Sequence, residues 1–437
     1  MAILETIVAP ATPLGRSALA IVRIDGPLSG NILETLGGRM AEPRLAVHTQ
    51  LTHAGELLDD CVAIRYAAPH SFTGNDLVEL TLHGNPLLVE RVIGACLAEG
   101  ARLAEAGEFT ERAVLNGKLD LVQAESIADL INARTTLQAK LSLGNLEGVL
   151  SRKAAAIRES LLHVISRLEA ALDFAEEGYD FISRDDARLR LEAALAETRS
   201  LAETYRRGRA TTEGLNAVIL GRPNAGKSTL LNRLVGSDRA IVTPIPGTTR
   251  DIVRETIEIG GLPVTLADTA GLRESADVVE GIGISRAREA ARSAELVLYL
   301  VASDSGLSEE DRWELASLAD PLVVYTKSDL AAPPPDVLAI SAVNDAGVPE
   351  LLSRLDALVR ERFVAPEASL VNERQRQAVA GCADALVASL GALADGLDEQ
   401  MILVDLYRAS TSLGLLTGAI TREEVFAEIF SKFCIGK

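Results

Sequence analysis

The first 118 residues alternate short apolar runs with Pro and Gly. Four of these runs have the length and the β-branched content of strands. Pro86–Leu97 instead repeats its apolar residues at helical spacing, and Gly100 provides a suitable helix stop. This pattern predicts a compact α/β domain over residues 1–118. The predicted strands are residues 6–9, 19–24, 61–66 and 77–82.

Two later segments are rich in Ala, Leu, Glu and Arg and contain few turn residues. In residues 119–214, apolar side chains such as Ile127, Leu130 and Ile131 recur at i, i+3 and i+4, which predicts long amphipathic helices. Residues 364–437 have the same character. Because neither segment alone offers much core, we expect one helical domain that is discontinuous in sequence. Two separate bundles are the alternative.

Residues 215–363 alternate apolar runs with helical patterns, as is typical of a doubly wound, mostly parallel sheet. This region is therefore predicted to be an α/β domain inserted into the helical one. Its predicted strands are residues 216–220, 253–259, 264–267, 296–301, 322–325 and 337–340.

Charge and cysteine content narrow the functional classes. The 437 residues include 43 Lys and Arg against 62 Asp and Glu, a formal charge of −19, which argues against a basic surface for grasping polyanions but not against a local basic patch. The four cysteines are far apart and form no CxxC pair, as in a protein of the reducing cytosol. We see no signal peptide and no uncharged apolar stretch of ~18–20 residues, so we expect a soluble, cytoplasmic protein without a membrane span.

A phosphate-binding motif opens the inserted region. Residues 221–228 read GRPNAGKS and match GxxxxGK[ST] between a predicted strand and a predicted helix. Backbone amides and the helix N-terminus bind phosphate in such a loop, while Lys227 reaches the β- and γ-phosphates and the Ser228 hydroxyl binds Mg²⁺. The nucleotide contacts predicted here are Asn224, Ala225, Gly226, Lys227, Ser228 and Thr229.

Two further motifs favour GTP over ATP. The sequence Asp268-Thr269-Ala270-Gly271 follows a predicted strand, where a carboxylate holds the metal through water and a glycine leaves room for the γ-phosphate. Later, Thr326-Lys327-Ser328-Asp329 ends another predicted strand, and a carboxylate there accepts both N1–H and N2–H of guanine. Ser341-Ala342 suits a backbone contact to the guanine oxygen. Thr326 departs from the usual Asn, and we expect its hydroxyl to bridge base and loop.

The hydrolytic groups differ from those of small GTPases. Leu272 stands where a Gln commonly orients the attacking water, so another group has to do so. Glu280, Arg250 and Arg273 are the candidates, although for the two arginines a solvated salt bridge is an equally good interpretation. The loop at residues 241–251 carries carbonyls and hydroxyls near the phosphates. Together with Asn224, this loop is predicted to cage a monovalent cation that replaces an arginine finger.

Motifs along the whole chain resemble the family of bacterial tRNA-modification GTPases called MnmE or TrmE. The likeness rests on TIVA through Thr12-Pro13, FTGND at 72–76, LNGKLDL at 115–121, GRPNAGKST, PGTTRD and the terminal FCIGK at 433–437. The resemblance implies an N-terminal folate-binding domain that dimerises, a helical domain and an inserted GTPase domain.

The resemblance also implies a function and its ligands. Such proteins form homodimers and act with an FAD-containing partner, MnmG, in a heterotetramer or larger complex. They add a carboxymethylaminomethyl-type group to the wobble uridine of certain tRNAs. The one-carbon unit comes from 5-formyltetrahydrofolate or methylenetetrahydrofolate, and potassium promotes GTP hydrolysis. By motif position, the folate contacts are Arg23, Glu79, Lys118 and Lys437. The potassium ligands are Asn224, Thr243, Ile245 and Thr248, the magnesium ligands are Ser228 and Thr249, and the water-orienting residue is Glu280.

The terminal Cys434 allows three interpretations. Prenylation is disfavoured because Gly436 and Lys437 follow and no polybasic run precedes it, which also weighs against a lipid-anchored signalling GTPase. A buried structural thiol is plausible, and a nucleophilic thiol near folate is our hypothesis. A GTP-dependent ribosome-assembly or RNA-binding switch is the alternative function, although such a switch would be expected to carry an RNA-binding fold with a basic face.

Overall fold

The computed structural model describes residues 5–174, 181–236, 239–241, 254–267, 292, 294–419, 429–430, 433 and 436. The backbone divides into two compact units, residues 1–128 with 411–437 and residues 129–410.

A six-stranded sheet forms the centre of the first unit. Its strand order is β3-β4-β5-β2-β1-β6, antiparallel except for the β1–β6 pair. The apolar side chains of the central strands pack against two helices, α1 and α2, to form the main core. The elements are β1 Ile7–Pro10, β2 Leu19–Asp25, α1 Ser29–Thr35, β3 Ala46–His53, β4 Glu56–Tyr66, β5 Leu77–His83, α2 Pro86–Ala98, β6 Arg102–Leu103 and α3 Glu108–Leu115.

The strands predicted from the first 118 residues are present, but the sequence did not reveal β3. This strand reads AVHTQLTH, and of its residues only Thr49 and Leu51 are buried. It lies at the sheet edge, and its inward positions alternate regularly, but two of the four are Thr49 and His53, so the alternation of apolar residues in the sequence is weak.

The helical segments predicted on either side of the inserted region are also present. Helix α6 buries a stripe of apolar residues that includes Leu150, Ile157 and Leu161. Helix α12 lies along α7, where Cys382 and Thr198 are in contact, so helices from the two segments pack together as the discontinuous domain requires. The helices are α4 Leu121–Asn132, α5 Thr136–Leu146, α6 Val149–Asp173, α7 Arg184–Glu203, α8 Tyr205–Glu213, α12 Glu373–Ala394 and α13 Glu399–Thr417.

The region between these segments contains a five-stranded sheet with the order β11-β10-β7-β9-β8. All neighbouring pairs are parallel except β8–β9. The strand predicted at residues 337–340 is reduced to a single bridge between Ala339 and Tyr325. The elements are β7 Leu215–Gly221, α9 Lys227–Val235, β8 Arg254–Ile259, β9 Leu262–Ala267, β10 Leu296–Ala302, α10 Glu309–Ser317, β11 Leu322–Thr326 and α11 Val348–Phe363.

Within the described residues, α12 alone is long and apolar enough to meet the length and composition of a membrane span. It buries residues such as Val379, Cys382 and Leu386 inside the protein. It also packs along α7.

Candidate functional site

The phosphate-binding loop connects β7 to α9, as its motif predicts. Gly221 adopts a φ of 134°, and a Cβ there would lie 2.3 Å from the carbonyl oxygen of Leu300, so only glycine fits this close approach. Asn224 and Gly226 also have positive φ, at 64° and 87°. These turns place the loop directly before the N-terminus of α9, where unpaired amides and the helix dipole favour an anion.

The polar side chains of this loop lie where a nucleotide phosphate can reach them. The Lys227 ammonium donates to the carbonyl oxygens of Gly221 and Arg222, both at 2.8 Å, and thus lies over the loop. Ser228 and Thr229 are exposed in the first turn of α9, and Asn224 is exposed at the tip of the loop. This donor set fits a nucleotide phosphate, with the Ser228 hydroxyl free to reach Mg²⁺.

The residue that departs from the common guanine motif joins two loops of the site. Thr326 is only 4% exposed, and its hydroxyl donates to the carbonyl oxygen of Ala225 at 2.7 Å. This bond ties the end of β11 directly to the phosphate loop. The Thr326 hydroxyl was expected to bridge the base and the loop, and its bond to the loop is present.

A cavity of about 480 Å³, with both polar and apolar walls, opens between these loops. Its walls include Asn224, Ala225 and Lys327, together with the turn at residues 304–306. Lys327 has a positive φ of 56° and donates to Asp304 at 2.9 Å. That hydrogen bond lowers the pKa of Asp304, so the carboxylate stays charged and keeps the lysine in place.

The other residues assigned to guanine lie in neighbouring turns. Asp329 is exposed after β11, and the Ser328 amide donates to the Ile340 carbonyl at 3.2 Å, which links the two turns. Ser341 is buried, and its amide donates to Ala346 at 2.8 Å. Among the described residues the amide of Ala342 has no such partner, so it is the better donor to a guanine oxygen.

A second polar cluster lies on the sheet of the N-terminal unit. Arg23 and Glu79 are paired across β2 and β5, with the arginine Nε donating to the carboxylate at 2.8 Å. The Arg23 guanidinium lies 5.4 Å from the centre of the Phe72 ring, and the Tyr66 hydroxyl donates to Glu79 at 3.2 Å. Burial and the neighbouring Glu79 raise the pKa of Tyr66. The Arg23 and Glu79 side chains remain about one-fifth exposed, so a ligand can reach them.

The loop that contains FTGND is fixed beside this pair. Asp25 is fully buried and accepts hydrogen bonds from Thr73, Asn75 and Arg112. Asn116 donates to the Thr73 carbonyl at 2.7 Å, which connects LNGK to the same loop. A buried carboxylate with several donors holds a loop in one conformation.

Lys118 belongs to the same arrangement, because its ammonium donates to the carbonyl of Pro69 at 3.0 Å. Gly436 contacts the same sheet at β1. Gly436 has a φ of 94°, and a Cβ there would lie 2.0 Å from the carbonyl oxygen of Pro10. Pro10 directly follows Ala9, which pairs with Arg23. Residues distant in sequence thus meet on this sheet, and Arg23, Glu79 and Phe72 combine a cation, a carboxylate and an aromatic ring, which suits a ligand with a polar ring and an anionic tail.

Sequence reasoning did not identify Tyr66, Asp25 or Arg112 in this cluster. In the sequence, these residues belong to no recognisable motif, because each is a single polar residue at a strand end or in a helix. Their hydrogen-bond partners are distant in sequence. Several predicted residues lie outside the described residues. They are Thr243, Ile245, Thr248, Thr249, Arg250, Asp268, Thr269, Ala270, Gly271, Arg273, Glu280, Cys434 and Lys437.

Two family models match the chain, and together they span most of it. The model of the MnmE helical domain matches residues 121–434, and the model of the GTP-binding protein TrmE N-terminus matches residues 6–118. Proteins called tRNA modification GTPase MnmE are 41% identical in Koribacter versatilis and in Neisseria gonorrhoeae. Each alignment covers 99% of this chain and 99% of the relative.

Solved structures match over a smaller part of the chain. Era from Aquifex aeolicus bound to GDP and AlF₄⁻ is 23% identical, with a TM-score of 0.27, and covers 40% of this chain and 67% of its own. The G domain of the T. maritima iron transporter FeoB is also 23% identical, with a TM-score of 0.24 and coverages of 32% and 96%.

Proposed function

The chain belongs to the MnmE family of tRNA modification GTPases, and from this premise we propose that it acts on the wobble uridine of certain tRNAs. It is a GTP-hydrolysing enzyme of tRNA modification. In the proposed reaction it works with the FAD-containing MnmG to add a carboxymethylaminomethyl-type group to C5 of the uridine. A tetrahydrofolate supplies the one-carbon unit, and potassium-dependent hydrolysis of GTP drives the conformational cycle.

The geometry of the nucleotide site supports the hydrolytic step. Lys227 lies over the phosphate loop, where its charge stabilises the negative charge that develops on the phosphoryl group in the transition state. The exposed Ser228 is suited to hold Mg²⁺ together with Thr249, and Asn224 is suited to hold K⁺ with residues of the following loop. Glu280 is proposed to orient the attacking water.

The observation that carries the folate proposal is the Arg23–Glu79 pair beside Phe72, with Asn116 fixing the loop that contains Phe72. A pterin offers donors and acceptors that match a carboxylate, and its glutamate tail matches cations. Glu79 and Arg23 supply both kinds of group, and the Phe72 ring lies against the Arg23 guanidinium. Gly436 places the end of the chain on the neighbouring strand, which is consistent with a role for Cys434 and Lys437 near the ligand.

The charge of −19 restricts how tRNA is held. Affinity for nucleic acid depends mainly on neutralising phosphates, which an acidic chain does poorly. We therefore propose that much of the tRNA contact comes from MnmG or from a basic patch formed in the homodimer. The partner is part of the proposed function for this reason.

Mass spectrometry of tRNA nucleosides tests the proposal. A strain lacking this gene is expected to lose the modified wobble uridine, and the full-length gene is expected to restore it. A Glu79→Gln gene is expected to restore it poorly. If deletion of the gene leaves the amount of modified wobble uridine unchanged, the ribosome-assembly switch is favoured. If the Cys434→Ser gene restores the modification fully, the hypothesis of a functional thiol is rejected.

A further inference from the structure

Tyr66 is the last residue of β4 and lies on the face of the sheet that carries Arg23 and Glu79. Cys61 and Ala63 belong to the main core of the N-terminal unit, so the alternation of the strand places Tyr66 on the opposite face. There the side chain of Tyr66 packs against a smaller apolar cluster that also contacts Phe72. The ring is therefore held by apolar contacts, while its hydroxyl reaches the polar pair.

Two donors from different strands hold the carboxylate of Glu79. The Tyr66 hydroxyl donates to Oε2 at 3.2 Å, and Nε of Arg23 donates to Oε1 at 2.8 Å. Strand register explains this arrangement, because Glu79 lies between Arg23 on β2 and Ile64 on β4. Tyr66 is two residues beyond Ile64 and so occupies the diagonal position, which a long aromatic side chain can span.

The Glu79 carboxylate keeps room for a ligand. A carboxylate offers about four acceptor positions, two on each oxygen. Among the described residues, Tyr66 and Arg23 are its hydrogen-bond donors, one to each oxygen. One position on each oxygen is thus left for a pair of neighbouring donors. The Glu79 side chain is 19% exposed, so such a ligand can reach it.

The chain directly after Tyr66 is held in place by two cations. Lys118 donates to the carbonyl of Pro69 at 3.0 Å, and Arg44 donates to that of His70 at 3.2 Å. The strand before Tyr66 is paired with β5 up to Tyr66 itself. The ring is therefore fixed by backbone on both sides, and a donor on a fixed ring restricts the orientation of the carboxylate that it contacts.

We propose that Tyr66 is a positioning residue of the folate site, which orients the Glu79 carboxylate towards the pterin ring. A pterin carries an amino group beside a ring N–H, and a carboxylate accepts from both only when its plane is suitably turned. Arg23 alone holds one oxygen, whereas Arg23 and Tyr66 together hold both and so fix the plane. The inference rests on the proposed folate site and adds to it a residue that acts through Glu79.

Tyr66→Phe tests the proposal, because it removes the hydroxyl and keeps the ring that packs against the apolar cluster. Water can replace the lost donor at the partly exposed carboxylate, so the variant is expected to fold. Calorimetry of the full chain measures the affinity for 5-formyltetrahydrofolate. The dissociation constant is expected to rise by about 3- to 30-fold, while the temperature of unfolding stays close to that of the native protein.

Two further measurements separate positioning from a general disturbance of the site. The compound p-aminobenzoylglutamate has the tail of a folate but no pterin, and its affinity in an NMR titration is expected to change by less than about twofold. In the Glu79→Ala background, adding Tyr66→Phe is also expected to change the affinity for 5-formyltetrahydrofolate by less than about twofold, because its effect passes through the missing carboxylate.

Tyr407→Phe is the matched control, since it removes a tyrosine hydrogen bond to Glu169 in the helical segments. It is expected to leave the affinity for 5-formyltetrahydrofolate unchanged. Unchanged affinity in Tyr66→Phe, an equal loss for the two ligands, or an undiminished loss in the Glu79→Ala background would each overturn the proposal. The native protein tests the premise separately: if it does not bind 5-formyltetrahydrofolate, the proposed folate site itself is rejected.

Discussion

Replacing Thr326 with Ala tests how the phosphate loop is held. The Thr326 hydroxyl donates to the Ala225 carbonyl at 2.7 Å in a site where Ala225 is 2% exposed. The peptide group between Ala225 and Gly226 is planar and trans, so its N–H points opposite to its C=O. A donor on the carbonyl therefore aims the Gly226 amide away from Thr326, towards the space for the phosphates.

The free-energy cost of removing the Thr326 hydroxyl can be estimated from this contact. Removing one partner of a buried hydrogen bond costs about 1–3 kcal/mol, because the acceptor is left unsatisfied. If the nucleotide complex carries the whole cost, the dissociation constant for GDP rises roughly 5- to 150-fold. Any part carried by the free protein appears instead as a lower free energy of unfolding. Both quantities are therefore expected to change in the unfavourable direction.

Titration with a fluorescent GDP analogue measures the affinity, and thermal unfolding measures the stability. Thr326→Ser is the matched control, since it keeps the hydroxyl and removes only the methyl group. We expect it to bind within a few-fold of the native protein, about 1 kcal/mol or less. Native affinity together with native stability in Thr326→Ala would refute the reasoning, because the hydroxyl would then contribute nothing to the loop.

Three further predictions concern other parts of the protein. Exchanging K⁺ for Na⁺ should collapse the GTPase rate and leave GTP binding intact, and equal rates in the two salts would contradict the potassium cage. Glu79→Gln should weaken binding of 5-formyltetrahydrofolate in calorimetry, while Arg91→Gln, which breaks an exposed pair with Glu56 in the same domain, should not. The hydrogen bond that the His83 ring donates to the Asp59 carboxylate raises the pKa of His83 above 6.5. The contribution of this pair to stability is therefore complete below that pH and disappears as pH rises through the raised pKa. The thermal stability of His83→Gln should not fall over this pH range as that of the native protein does. Identical dependence of stability on pH in the two proteins would contradict this prediction.

Local sequence was sufficient where the chemistry lies within one stretch of chain. GRPNAGKS predicts a strand, a loop with positive φ and a helix, and the structure has all three. The alternating pattern also predicted the mixed architecture, because strands and helices bury their apolar residues with different periods. The edge strand β3 was missed because few of its inward-facing residues are apolar. The strand at 337–340 contracts to one bridge, although Ile340 is fully buried and its neighbours pack against the domain core.

The family and the GTP-binding motif were thus determined by the sequence itself, since each motif is a short run of residues with its own chemistry. Tertiary structure alone decided which side chains meet. Thr326 and Ala225 are 101 residues apart, Arg239 and Asp356 are 117 apart, and Arg23 and Glu79 are 56 apart. A partner at such a distance leaves no mark on local periodicity, because the contact depends on strand register and on how helices dock. The physical reason is that side-chain pairing follows distance in space, whereas a motif records only distance along the chain.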